Sequence, residues 1–400
     1  MEHKLDLKVI FVLIFSFVML MISLSLYLFM NANDILIKPN PSCNFRDKVY
    51  VEDFIYKLDG TLKNNYEIDT RTVGKQEVKA IYQDKHGFYK AKRFMLTVKD
   101  KKAPTILVTD EYTINKGFNG RLEDRILCAD DYDDNTKCVI NGSYNLNEVG
   151  VYPLSIMAID KSGNRADKRF NLRVVEDKKT KDKGENNEVV GTIYYKDVYN
   201  KYKNNNTMVG IDISKWQGDI DFDKLKKNNV EFIFIKMAGQ KKMNDKINID
   251  PKFEYNIRKA LDYNFKVGLY FYSCAKSPLE AKKQARYVIK NIKDYNIELP
   301  IVFDWEDWEN YNGYNMGLNK LNIIAKTFID ELERNEYVGM LYSSKYYLDN
   351  IWFLEDYKKI WVANYGELEN KKKYNYWQLC SDGMIDGINT LVDIDVMFNE

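Results

Sequence analysis

From residue 207 onward, short apolar segments alternate with amphipathic ones, and this pattern restricts the fold more than any other feature of the chain. Candidate strands lie at 209–214, 232–238, 266–273, 300–306, 337–344, 360–365, 375–379 and 391–398. Between the early ones, Ala281, Ala285, Val288, Ile289 and Ile292 share one helical face, as do Leu318, Leu321, Ala325, Phe328 and Leu332. Asp250-Pro251 opens a further helix, with the aspartate as N-cap and proline at the first position. After the fifth strand the intervals shorten, leaving room for one short helix near 345–350. Eight strands, with helices mainly in the first half, predict an α/β barrel whose late crossovers are degenerate.

In such barrels chemistry gathers at the carboxyl ends of the strands. Residues 300–306 read Pro-Ile-Val-Phe-Asp-Trp-Glu, an apolar run leading directly into two acids. Opened by proline and rich in branched and aromatic residues, the run reads as a buried parallel strand. Its two-residue period places Asp304 and Glu306 on one face, with Cα atoms about 6.5–7 Å apart. Each acid there resists desolvation. The pair suits a reaction that needs one protonated and one ionised carboxyl group, as glycoside hydrolysis does. Taken alone, it reads equally as an aspartate capping a turn and a glutamate in a surface ion pair. Two further strand ends carry acids: Asp212, and Asp393 or Asp395. With Trp216, Tyr270, Tyr272, Trp308, Tyr342, Tyr365 and Trp377 close to these strands, a sugar site is the better reading, because aromatic faces stack on pyranose rings. A single tyrosine among thirty is still more often core or surface than ligand.

The chain has two histidines, His3 and His86, both far from the acidic strand. That excludes a histidine-based triad and argues against a histidine-ligated metal. Catalysis then falls to carboxylates, hydroxyls or thiols, with no cofactor called for. Lys+Arg 60 against Asp+Glu 59 leaves no basic field to argue for nucleic acid.

The first half is organised differently. Residues 9–30 are uncharged and long enough to cross a bilayer as a helix, which takes roughly 20 residues. Lys4 and Lys8 precede them, which predicts a cytoplasmic segment at 1–8 and everything after the anchor outside. A cleaved signal peptide is the rival, but Met30-Asn31-Ala32 is a poor cleavage site. Beyond the anchor, 73–98 and 149–174 align without a gap: Gly74 with Gly150, Asp84-Lys85 with Asp160-Lys161, Gly87 with Gly163, Lys92-Arg93-Phe94 with Lys168-Arg169-Phe170. Alternating segments within each copy read as half-buried strands, and Asp-Lys-x-Gly as a hairpin turn. Two all-β modules, 43–100 and 101–176, are therefore expected, followed by a linker over 177–206 and the barrel over 207–400. Cys128 and Cys138 are close enough to bridge in an oxidising exterior, or remain free thiols. Asp130, Asp131, Asp133, Asp134 and Asn135 lack the glycine and distal glutamate of a calcium loop, so they read as a solvated acidic turn.

Two resemblances add to this. The duplicated modules resemble the Ig-like repeats of bacterial surface proteins, including the phrase Lys-Ala-Pro-Thr-Ile that opens the second, and this implies a spacer of small sandwiches. Gly210-Ile211-Asp212-Ile213-Ser214-Lys215-Trp216-Gln217-Gly218, the 300–306 strand, Trp361-Val362-Ala363-Asn364-Tyr365, Tyr376-Trp377-Gln378-Leu379 and the stretch 387–398 together resemble glycoside hydrolase family 25, the Chalaropsis-type lysozymes. The resemblance implies a (β/α)5(β)3 TIM-like barrel that hydrolyses the β-1,4 bond from N-acetylmuramic acid to N-acetylglucosamine in peptidoglycan glycan strands. By position, Glu306 becomes the general acid and Asp304 the ionised stabiliser, with Asp212 and Asp393 orienting substrate. Tyr272, Trp308, Tyr342, Tyr365, Trp377 and Gln378 become substrate contacts. Many relatives carry an acid after the second strand, where this chain has Lys236-Met237-Ala238-Gly239-Gln240. The chain thus reads as a multidomain, membrane-anchored muramidase. The alternatives are a wall-binding or adhesion protein with a degenerate barrel, and a phage lytic enzyme, which the anchor and spacers disfavour.

Overall fold

The computed structural model describes residues 7–30, 34–176 and 193–398. Residues 1–6 of the cytoplasmic stretch expected over 1–8, and 177–192 of the linker expected over 177–206, lie outside them. The chain divides into two compact units, Met1–Lys101 and Lys102–Glu400.

In the first unit, helix α1 (Leu7–Met30) is apolar and long enough to span a bilayer, and none of its residues 9–26 is buried. It is followed by strands β1 (Ile35–Ile37), β2 (Ser42–Asn44), β3 (Ile55–Leu58), β4 (Gly60–Leu62), β5 (Gly74–Asp84) and β6 (Tyr89–Lys99). These form a four-stranded sheet in the order β2-β6-β5-β4 and a separate β1–β3 ribbon. Val51, Val78, Ala80, Leu96 and Val98 fill the space between them.

The second unit opens with the second copy: β7 (Thr105–Leu107), β8 (Glu111–Asn115), β9 (Leu127–Ala129), β10 (Lys137–Asn141), β11 (Gly150–Ile159) and β12 (Arg165–Val175). Its sheet runs β10-β11-β12-β8, with a β7–β9 ribbon. The duplication extends to hairpin register: Gly74 pairs with Val98, and Gly150 with Val174. Both turns work alike. Asp84 and Asp160 accept turn amides, and Gly87 and Gly163 take φ of 88° and 87°, a region that glycine enters without penalty. Cys128 and Cys138 are joined as a disulfide that ties β9 to β10.

The barrel comprises β14 (Thr207–Ile213), β15 (Phe232–Gly239), β17 (Lys266–Tyr272), β18 (Ile301–Asp304), β19 (Gly339–Ser344), β20 (Ile360–Ala363), β21 (Tyr376–Met384) and β22 (Val392–Phe398). Consecutive strands pair in parallel from β14 to β21, and β22 closes the ring antiparallel to both β21 and β14. Helices α3 (Phe222–Lys227), α4 (Phe253–Asp262), α5 (Pro278–Ile292), α6 (Leu318–Glu333) and α7 (Lys345–Asn350) fill the first five crossovers, and a short β16 (Asn248–Ile249) pairs with β15. Helix α4 starts three residues after Asp250, whose carboxylate accepts the Lys252 amide at 2.9 Å.

The barrel begins earlier than the sequence suggests. Residues 193–194 form β13 alongside β21, and α2 (Tyr195–Tyr202) packs on the barrel instead of continuing a linker. Its anchor is Tyr195, fully buried, whose hydroxyl donates to Val209 O at 2.9 Å. Inside the ring, Phe232, Phe234, Val302, Met340, Tyr342, Trp361 and Tyr376 make an aromatic plug, with Phe234 stacked on Trp361 at 4.6 Å. Gly268 makes room for it: a Cβ there would lie 2.2 Å from the Phe234 ring. The plug fills the barrel axis, so polar chemistry is confined to the layer above it.

The acidic turn is not solvated. Asp130, Asp131 and Asp133 are buried, because the loop sits on the amino end of α6 and accepts its free amides. Leu318 N donates to Asp130 O at 2.8 Å, Asn319 N to Asp131 O at 2.9 Å, and Gly317 N to Asp134 Oδ1 at 2.8 Å. Asp133 is pulled below the usual carboxylate range by hydrogen bonds from Lys161 and from the Asn135 amide, which outweigh its burial.

Candidate active site

The two-residue period of each strand decides which side chains reach the polar layer. Counting upward from the plug, β14 contributes Asp212, β15 Lys236, β17 Tyr270 and Tyr272, β18 Asp304, β19 Tyr342, β21 Gln378 and β22 Asp393. Strand pairing sets Asp212 opposite Asp393, with Asp395 one step deeper beside Gly210 and Gln378.

β18 ends at Asp304, so Glu306 is not a strand residue and the spacing expected of a continuous strand does not apply to it. The cause is Trp305, which is fully buried among Trp308, Tyr311 and Tyr314 and donates its indole N–H to Ala275 O at 3.4 Å. Seating that indole turns the backbone out of the sheet. Glu306 is left on the turn, solvent-reachable, with its carboxyl crowded by the cleft walls. Asp304 stays buried, and its Oδ1 has no hydrogen-bond partner among the described residues. A buried carboxylate oxygen without a donor is costly, and such a position suits a donor that a ligand would bring.

The acids act on one another. Burial raises Asp212 well above the usual carboxylate range; Asp393 and Glu306 add to this, and the Gln378 amide opposes it. Asp304 is raised by burial and by Glu306, and Glu306 by its crowded setting, while Lys236 pulls both down. Asp393 is pushed up to about 6 by burial and by Glu306. Asp395, fully buried, is raised by burial, Asp212 and Asp393, and accepts the Trp361 indole N–H at 2.9 Å. Mutually repelling buried carboxyls hold on to protons near neutrality. This cleft therefore stores acid.

Gln378 is oriented by its neighbours. Its Oε1 accepts from Tyr342 at 2.9 Å and from Tyr365 at 3.3 Å, which turns Nε2 toward Asp212, to which it donates at 2.7 Å. Tyr365 is exposed at the rim, and burial of its hydroxyl pushes that group up to about 12. Tyr272 is half-buried, with the Lys236 ammonium 4.9 Å from its ring centre.

The structure thus gathers Asp212, Asp304, Glu306, Asp393, Tyr272, Tyr342, Tyr365 and Gln378 at one end of the barrel. It does not bring Trp377 there. Neighbouring Gln378 points in, so Trp377 points out, fully buried against Tyr202 of α2 at 5.2 Å with its N–H on Asn364 O. Trp308 is likewise packed away, stacked 4.0 Å from Tyr347 and nearly buried, so it offers no open face. Lys236 went unrecognised in the sequence. The available signal was a lysine continuing the inward two-residue period of Phe232 and Phe234. Gln240, in the same loop, is tied to Gln284 and Cys274 and serves the framework.

Residues 211–388 match the family model for glycosyl hydrolases family 25. This part of the chain is a family 25 domain. YegX, an uncharacterized protein of Escherichia coli, is 26% identical over 205 residues, spanning 48% of this chain and 69% of that protein. The autolytic lysozyme of Clostridium acetobutylicum is 24% identical over 191 residues, 47% of this chain and 55% of that protein. Among solved structures, the Clostridium perfringens spore cortex lytic enzyme SleM aligns with 21% identity and a TM-score of 0.43, over 50% of this chain and 69% of that one.

Proposed function

We propose that the protein is a membrane-anchored peptidoglycan hydrolase, an N-acetylmuramidase that cuts the β-1,4 bond between N-acetylmuramic acid and N-acetylglucosamine. α1 holds it in the cell membrane, with the remaining domains outside, in the wall. The duplicated β-modules are Ig-like spacers, and the catalytic domain is a (β/α)5(β)3 TIM-like barrel. The observation that carries the chemistry is the pairing of a solvent-reachable, raised Glu306 with a buried Asp304 whose Oδ1 lacks a donor among the described residues.

Glu306 donates a proton to the departing glycosidic oxygen, and its crowded setting, which raises its pKa, favours the protonated form that this role needs. Asp304 accepts from the substrate's acetamido N–H or a hydroxyl and stabilises positive charge on the sugar as the bond breaks. The growing cation favours the ionised form of Asp304, and water that ends on the anomeric carbon gives up a proton to the carboxylate left on Glu306, which completes the hydrolysis. Asp212 and Asp393 hold substrate hydroxyls and keep the local field acid. The exposed ring of Tyr365 and the half-buried ring of Tyr272 bracket the glycan. The relative named as an autolytic lysozyme favours this substrate.

Clearing of purified bacterial walls tests the reading. The intact chain is expected to lower turbidity, and Glu306→Gln to lower the rate by roughly 10²–10⁴-fold, the usual range for loss of a general acid. Equal clearing by both proteins would refute it.

A further inference from the structure

The second β-module is more than a spacer. We infer that its 121–134 loop system is part of the catalytic apparatus, with Asn312 as the positioning residue that ties it to the loop carrying Glu306. This rests on the reading of Glu306 as proton donor.

The loop from Trp305 to Gly317 leaves the sheet at Asp304 and rejoins the fold at α6. On its barrel side, the Trp305 aromatic cluster and two hydrogen bonds to Asp307, from Tyr314 at 2.6 Å and Asn310 at 2.7 Å, shape it. Its other side is held by the module. The Asn312 side chain uses all three of its closest bonds on module backbone: Nδ2 donates to Glu123 O at 2.9 Å and Ile126 O at 2.7 Å, and Oδ1 accepts from Cys128 N at 3.3 Å. An amide fork that reads both acceptors and a donor of a partner backbone fixes position and orientation together.

The surrounding contacts make this a built junction. Leu127 and Ala129 of β9 are buried within the barrel's own hydrophobic core. The acidic loop supplies acceptors for three successive amides at the start of α6, which would otherwise face water. Gly317 permits the approach, since a Cβ there would stand 3.0 Å from Asp133 O and 3.1 Å from Asp130 O. The disulfide at Cys128 secures the strand that Asn312 grips. By contrast, the exposed Arg125–Glu309 pair at 3.0 Å adds little. The segment bearing Glu306 is thus clamped between two domains, six residues from the grip.

The test uses the full-length chain carrying Asn312→Ala, with Gly317→Ala as a second lesion on the same junction. Soluble glycan turnover is expected to show kcat lowered by about 10- to 100-fold with KM within about two-fold, since displacing a catalytic group by about 1 Å costs that much. Hydrogen exchange is expected to quicken at 305–319, with the barrel strands unchanged. An unchanged kcat overturns the inference. So does a joint loss of kcat, KM and strand protection in both variants, which marks a purely structural role. If the wild-type chain releases no fragments, the lytic reading falls and exchange decides alone: faster exchange at 305–319 sustains the clamp, and unaltered protection there removes it.

Discussion

Replacing Lys236 with methionine removes the cation that faces Asp212, Asp304 and Glu306. Two unit charges about 6 Å apart interact by about 3 kcal/mol at an effective dielectric constant of about 20. That is about two pK units. Lys236 is half-buried at an open cleft, and solvent screening there reduces the figure to about one unit. Losing the cation raises all three carboxyls. A higher pKa on Glu306 keeps the donor protonated to higher pH, moving the alkaline limb of the rate profile up. A higher pKa on Asp304 delays the stabiliser's ionisation, moving the acid limb up as well. Lys236→Met is therefore expected to shift the whole profile upward by about one pH unit, with activity lost on the acid side and retained on the alkaline side. Rates of glycan-fragment release between pH 4 and 9 measure it. A profile that is merely scaled down, or shifted toward acid, would refute the electrostatic account.

Trp377→Ala should remove a buried indole between β21 and α2, lowering barrel stability by ~3–5 kcal/mol, while KM of the surviving folded fraction stays near the parent value; thermal melts and saturation kinetics check this. Asp393 has a folded pKa of about 6 against an unfolded value of about 3.8, so the folded state binds the extra proton and this group's contribution declines as pH rises through that window. Asp393→Asn should then gain stability over the parent by up to about 3 kcal/mol between pH 4 and 7, read from urea midpoints. A variant whose advantage stays flat or narrows with pH would contradict the burial argument.

Much of this architecture was legible because it is local. The strand period, the helical faces of α5 and α6, the short α7 and the hairpin turns at Gly87 and Gly163 depend on residues near one another in the chain. The gathering of Asp212, Asp304 and Asp393 was legible in part: Asp212 and Asp304 lie at the carboxyl ends of parallel strands, whereas Asp393 sits at the amino end of β22 and reaches the same layer because that strand runs antiparallel to β14. What escaped depends on long-range contacts or on a single packing choice. Trp377 and Gln378 are neighbours on opposite faces, and a one-residue difference decides which faces the acidic cleft. Helix α2 is held by few buried anchors, too few to produce a periodic signal. The aspartate loop looked solvated because its donors, the first amides of α6, lie more than 180 residues away. Lys236 escaped because a lone lysine near a strand end reads as a surface charge until the facing acids of other strands are placed around it.

The most direct measurement is the chemistry of the new chain ends. Digested peptidoglycan, reduced with borohydride and read by mass spectrometry, should yield fragments ending in reduced N-acetylmuramic acid with the wild-type chain and none with Glu306→Gln. Fragments ending in reduced N-acetylglucosamine, or cleavage confined to peptide bonds, would contradict the account.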